Sequence, residues 1–175
     1  RQLGRFREAL VPLDAAEQRF EGEPCCTKEL GRAWLTRGTI LVKMGELDQA
    51  MRYLRRAINI FAAVDDARRI AKVRLVEAGV LFERSDFDGA RGLWQAAVPV
   101  LKAGKDRHAL GVAWLNIGLC DVEQNRPDSA RSWVEKAFNI FLRIRCEVEM
   151  LRARAVLARI EALFDNRNAG LRSLL

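Results

Sequence analysis

The chain has 175 residues, 50% of them hydrophobic and 30% charged, and its Lys and Arg outnumber Asp and Glu by 30 to 23, for a net charge of +7. That is an ordinary globular balance, with length for one or two domains. The longest stretch free of Asp, Glu, Lys and Arg runs only from His108 to Cys120, too short and too mixed to span a bilayer.

Taken in chain order, the apolar residues recur at helical spacing throughout, and no strand pattern appears. A first helix is predicted over 5–20. A second covers 28–44, where Ala33, Trp34, Leu35, Ile40, Leu41 and Met44 share the period and Gly45 ends it as a left-handed C-terminal residue. A third follows at 47–63 with Ala50, Leu54, Ala57, Ile58 and Phe61 on one stripe. The pattern continues as pairs at 68–84 and 87–103, then 107–124 and 127–143. A further helix is predicted over 148–164, with a cut one starting near Asn168. Gly45 corresponds to Ser85, Asn125 and Asp165 in later units and to Gly4 in the first, so turns are expected at each. Short polar links fall at Glu23-Pro24, Asp65-Asp66, Gly104-Lys105-Asp106 and Arg145-Cys146. Pro127 suits a first helical turn, whereas Pro12 and Pro99 should kink or shorten the helices that hold them.

These elements are copies of one unit. Ala9, Ala50, Ala90 and Ala130 lie 41, 40 and 40 residues apart; each is followed seven residues on by Ala16, Ala57, Ala97 or Ala137, and then by Phe20, Phe61, Leu101 or Phe141. A fixed period of this length marks stacked supersecondary units, none of which can bury its apolar stripe alone. The fold class is therefore all-α: a right-handed α-solenoid of antiparallel helix pairs. Residues 1–175 are read as a single repeat domain with a partial unit at 1–24, full units at 25–64, 65–104 and 105–145, and a partial unit at 146–175. A chain that opens on Arg inside a repeat is expected to be a fragment of a longer protein.

Within each unit the residue types resemble the tetratricopeptide repeat. Trp34, Gly38, Leu41, Ala50, Leu54 and Ala57 follow its pattern, as do Trp114, Ile117, Gly118, Ala130, Val134 and Ala137. Arg74, Glu77 and Ala78 keep only the small residue, Ala90, Trp94 and Ala97 restore the match, and Arg154, Leu157, Ala158 with Gly170 depart furthest. Gly38, Ala78, Gly118 and Ala158 would let a first helix lie close to its partner. The period is longer than the family's usual one and is similar to arrays in bacterial signalling proteins, among them sensor regions of transcription activators and Rap-type regulators. The resemblance implies a concave face lined by the first helices. By register it would present Arg32, Leu35, Thr39 and Val42; Lys72, Leu75, Gly79 and Phe82; Val112, Leu115, Leu119 and Val122; and Arg152, Ala155, Arg159 and Ala162. Asn116 is the one residue akin to the carboxylate clamp of chaperone-binding members. The groove so implied is apolar, with Arg32, Lys72 and Arg152 along one edge and Lys43, Glu83 and Glu123 along the other, and it suits an amphipathic helix or an extended peptide. The alternative is self-assembly, in which the groove or the cut C-terminal helix (Leu171, Leu174, Leu175) packs on a second copy, as in a homodimer, or on the rest of the parent chain.

Little points to chemistry. The cysteines, Cys25, Cys26, Cys120 and Cys146, form no C-x-x-C pair, and His108 is the single histidine, so no metal site or catalytic residue is assigned. Cys25-Cys26 is read as two reduced thiols over a vicinal disulfide, which fits a cytoplasmic setting. The Gly89–Gly92 and Gly111–Gly118 pairs lie inside predicted helices and form no phosphate loop, so no cofactor is expected. Arg52, Arg55 and Arg56, then Arg68, Arg69, Lys72 and Arg74, raise nucleic acid as a partner; interleaved Asp and Glu and the lack of an aromatic ladder argue against it. The expectation is a non-catalytic protein-interaction module with a protein or peptide partner and no membrane association.

Overall fold

The computed structural model describes the backbone of residues 2–20 and 26–172, and the side chains of residues 4, 6–20 and 26–165. Among these residues the regular structure is helical: α1 (Gln2–Phe20), α2 (Thr27–Met44), α3 (Leu47–Ala63), α4 (Ala67–Glu83), α5 (Phe87–Ala103), α6 (Arg107–Glu123), α7 (Pro127–Arg143) and α8 (Glu147–Arg172). This is a helical-repeat, α-solenoid fold. The chain divides into two compact units, Arg1–Arg84 and Ser85–Leu175. That division falls at the turn after α4, inside the stretch 65–104 that the sequence reads as one repeat.

Each unit is built by stacking neighbours. In the first, α2 packs between α1 and α3 and also touches α4; in the second, α6 packs between α5 and α7 and also touches α8. The repeated residues form the cores. Ala50, Leu54, Ala57 and Phe61 are buried with Leu41, Val73 and Val80 in the first unit, and Ala130, Val134, Ala137 and Phe141 with Ala153, Val156 and Ile160 in the second. Ala9 is exposed and Ala16 half-buried, so the register is weakest in α1. There a polar network joins α1 to its neighbours. Trp34 Nε1 donates to Glu17 at 2.8 Å, and Arg37 pairs with Asp14 while donating to the Tyr53 hydroxyl at 2.8 Å.

The crossings are close. A Cβ placed on Gly38 would sit 2.7 Å from Leu54 Cδ2, and one on Gly118 would sit 2.5 Å from Val134 Cγ2. A side chain at either position would wedge the helix pair apart. Ala78 is fully buried at the same register, whereas Ala158 on α8 is exposed.

The helix ends share one device. Gly45 (φ 81°) donates to Val42 O and Glu46 to Leu41 O, the paired bonds of a Schellman motif. The same pair of bonds closes α3 at Asp65-Asp66, α5 at Lys105-Asp106, α6 at Asn125-Arg126 and α7 at Arg145-Cys146. The first residue of each pair takes a left-handed φ, as does Ser85 (φ 63°). Three residues past the ends of α3, α4 and α5, an aspartate begins the next helix. Asp66, Asp86 and Asp106 each accept a backbone N–H, from Arg69, Gly89 and Ala109.

Two local expectations are corrected, and a third in part. Gly4 lies inside α1, and no turn forms there. Asp165 lies inside α8, which runs on to Arg172, so no second helix starts near Asn168. An aspartate gains less than Gly or Asn from a left-handed turn, and continuing the helix keeps the backbone bonds that a break would cost. Pro12 and Pro99 shorten neither α1 nor α5. Both prolines are exposed, so the carbonyls that lose a helical donor have access to water. The Glu23-Pro24 link, Cys25, Leu174 and Leu175 lie outside the described residues, as does the Leu171 side chain.

Candidate binding clefts

The first helices place the predicted groove residues unequally. In α2, Arg32 is exposed, while Leu35 and Val42 pack partly against the core; the Thr39 hydroxyl donates to the Leu35 carbonyl at 2.9 Å. In α4, Lys72, Leu75 and Phe82 are half-buried. In α6, Val112, Asn116 and Leu119 are half-buried, but Leu115 and Val122 are 1% and 6% exposed and belong to the core. These last two therefore offer no open surface to a partner. In α8, Arg152 pairs with Glu149 at 2.9 Å, and Arg159 reaches across to Glu123 of α6 at 2.9 Å.

Three of the predicted residues converge. Arg32 and Leu35 of α2 and Lys72 of α4 line a cleft of about 580 Å³, joined by Asp66, Arg68 and Arg69 from the start of α4. In the sequence Arg68 and Arg69 read only as charge, and nothing there brings them to this site. Their placement follows from the cap: Asp66 accepts the Arg69 N–H at 2.9 Å and pairs with its guanidinium, fixing the first turn of α4 beside α2. The backbone hydrogen bond from Arg69 is the main reason the Asp66 carboxyl lies below its ordinary 3.8. The cleft thus has an aliphatic patch at Leu35, a rim of four cations and one carboxylate already engaged by Arg69.

A second cleft, about 460 Å³, lies where α5 turns into α6, with the end of α7 as its far wall. Leu101, Leu110 and Ile140 meet Lys102, Lys105, Arg107 and Arg143 there. His108 is exposed and its ring stands 6.3 Å from that of Phe141. Cys120 is buried, and burial pushes its thiol up to about 12, so it stays protonated near neutral pH. Cys26 and Cys146 form no disulfide. Among the described residues no three His, Cys, Asp or Glu side chains are grouped to hold a metal ion. Nor is any helix there long and apolar enough to cross a membrane.

Helix pairs at a 40-residue register, with glycine or alanine at their crossings, define a helical-repeat fold similar to that of tetratricopeptide-repeat proteins. The tetratricopeptide repeat model matches residues 31–63, the α2–α3 pair. No curated protein sequence matches the chain. Among solved structures, the chain is similar to a Rap protein complexed with competence and sporulation factor, at 17% identity and a TM-score of 0.82 over 98% of this chain and 48% of that one. The apo form of RapI gives 20% identity and a TM-score of 0.75 over 96% and 46%. Aspartyl phosphate phosphatase F from Bacillus subtilis gives 18% and 0.73 over 83% and 38%. The likeness is one of fold, and the chain spans less than half the length of each of these three.

Proposed function

We propose that the chain is a protein-interaction module, the scaffold or sensor region of a larger bacterial regulator, and that it binds an extended or helical peptide segment along its first helices. The α2–α4 cleft is the observation that carries this reading: Arg32, Arg68, Arg69 and Lys72 surround Leu35 at the mouth of a cavity large enough for peptide side chains. Apolar contact at Leu35 would supply affinity, and the cations would select carboxylates near it. The complex of a similar Rap protein with competence and sporulation factor agrees with a binding role. The residues lining both clefts, cations, aliphatics and a capping aspartate, suit binding. Aspartyl phosphate phosphatase F, whose name denotes an enzyme, is matched over only 38% of its length.

Selection from a random peptide library, followed by titration of the enriched peptides, tests the reading. Leu35→Glu and Arg32→Glu should weaken enriched peptides about tenfold while leaving the far-ultraviolet circular dichroism unchanged. If no peptide is enriched, or if enriched peptides bind both variants as they bind the parent, the α2–α4 cleft is not the site.

A second reading has its own observation. Val148 and Leu151 are 69% and 64% exposed on α8, and Ala155, Ala158 and Ala162 continue their stripe, also exposed. At the same register in α6, Gly111, Leu115, Gly118 and Val122 are all buried. The face of α8 is thus shaped to receive another helix, which a second copy or another part of a longer chain would provide. Sedimentation across concentration checks this, and a Leu151→Glu variant should abolish any dimer found.

A further inference from the structure

We propose that the cleft between the α5–α6 turn and the end of α7 is a second, separate recognition site, and that it takes an acidic peptide segment carrying an aliphatic side chain. This site shares no lining residue with the α2–α4 cleft. Four cations, Lys102, Lys105, Arg107 and Arg143, surround a floor of Leu101, Leu110 and Ile140, and no carboxylate lines the cavity. None of the four forms an ion pair among the described residues.

The repeat supplies an internal control. Forty residues earlier, the floor positions are Phe61, Ile70 and Val100, apolar as the fold requires, but the rim positions are Ala62, Asp65, Ala67 and Ala103. Forty residues later, the first three rim positions are Leu142, Arg145 and Glu147. The solenoid therefore needs the floor and does not need the charges. Helix dipoles explain only part of the rim. Lys102 and Arg143 lie in the last turns of α5 and α7, where cations are favoured. Arg107 opens α6, where the dipole opposes a cation, and Lys105 sits between helices at φ 53°. Lys105 and Arg107 thus stand where neither packing nor the dipoles ask for a cation, and with Lys102 and Arg143 they create a local field that draws anions.

The choice of anion follows from the floor and the walls. A bare phosphate would use the rim and leave the aliphatic floor wet. Nucleic acid would call for aromatic platforms, and no aromatic side chain lines the cavity. A peptide with Asp or Glu flanking a Leu-like side chain engages both, and the volume of about 460 Å³ lies in the range of ordinary ligand pockets.

The test uses the full 175-residue chain and a fluorescein-labelled peptide of alternating Glu and Leu, with a Lys–Leu peptide as control. Acetylation of individual lysines is followed by mass spectrometry with and without peptide. The Glu–Leu peptide should slow acetylation of Lys105 at least threefold, with Lys28 and Lys43 unchanged as references. The double variant Lys105→Glu/Arg143→Glu should bind that peptide at least tenfold more weakly, whereas Arg32→Glu, in the other cleft, should leave the Lys105 protection intact. Loss of the Lys105 protection in Arg32→Glu, or undiminished binding of the Glu–Leu peptide by the double variant, overturns the proposal without touching the α2–α4 reading. Equal protection by the Lys–Leu peptide, by inorganic phosphate or by oligo-dT overturns it too, in the last two cases in favour of a general polyanion surface.

Discussion

The close crossing of α6 and α7 makes a prediction in which one chemical change has opposite effects at two places in the same unit. Gly92 lies mid-way along α5, exposed, with open space where a Cβ would go. Gly92→Ala should therefore collect the intrinsic helix gain alone, about 0.5–1 kcal/mol. Gly118→Ala collects the same gain but sets its methyl 2.5 Å from Val134 Cγ2 and 3.2 Å from the Ala130 carbonyl oxygen. Comfortable carbon contacts are roughly 3.5–4.0 Å, so the overlap with Val134 is close to 1 Å. Val134 is fully buried and β-branched, which denies it a second rotamer, and the carbonyl belongs to the backbone of α7. The helices must move apart, at an overpacking cost of about 1–3 kcal/mol. The net expectation is a loss of about 1–2 kcal/mol at Gly118 against a gain at Gly92. In a chain of this size that is roughly 2–4 °C per kcal/mol in melting temperature. Urea titration followed by circular dichroism reads both variants on one scale. If Gly118→Ala stabilises as much as Gly92→Ala, the two helices do not approach as described.

Other outcomes follow from single residues. Asp106→Ala removes the acceptor of the Ala109 N–H and should cost about 1 kcal/mol of stability in chemical denaturation, as a lost N-cap does. The Asp66 carboxyl is held below 3.8 in the folded chain, so its contribution is present above that value and fades as pH falls through the folded pKa; an acid titration of Asp66→Asn should lose less stability below about pH 4 than the parent. Cys120 is raised from 9.0 to about 12, so the unfolded chain ionises first and stability should decline as pH rises above 9, a decline that Cys120→Ala would reduce. At pH 8 iodoacetamide should modify Cys26 and Cys146 well before Cys120, and equal rates would contradict the burial of that thiol.

Much of the fold is legible in the sequence because few residue types set it. The spacing of Ala50, Leu54, Ala57 and Phe61 places α3 at the residues it occupies, and Gly45 marks the end of α2. The left-handed turns at Asp65, Lys105 and Arg145 are less legible. Lys105 and Arg145 carry no local preference for positive φ and Asp65 only a modest one, and the turn is held there by the paired bonds to Ala62 and Phe61, Lys102 and Leu101, Leu142 and Phe141. Leu115 and Val122 show where register alone fails. A position that is half-open in α2 and α4 is closed in α6, where Leu115 joins a core that also contains Val134 and Val156. A Leu115→Glu variant would thus report unfolding and not partner loss. The clefts are harder still to read, because each joins side chains from separate helices: Arg32 with Lys72, and Lys102 with Arg143.

The central claim is that the first helices of this repeat array hold a peptide, and methyl-labelled nuclear magnetic resonance of the chain titrated with a library-selected peptide tests it most directly. Saturable shifts of the Leu35 and Val42 methyls are expected, with Val148 and Leu151 of α8 unmoved. Shifts confined to Val148 and Leu151, or changes that follow protein concentration without any peptide, would contradict it and place the interaction on the exposed face of α8.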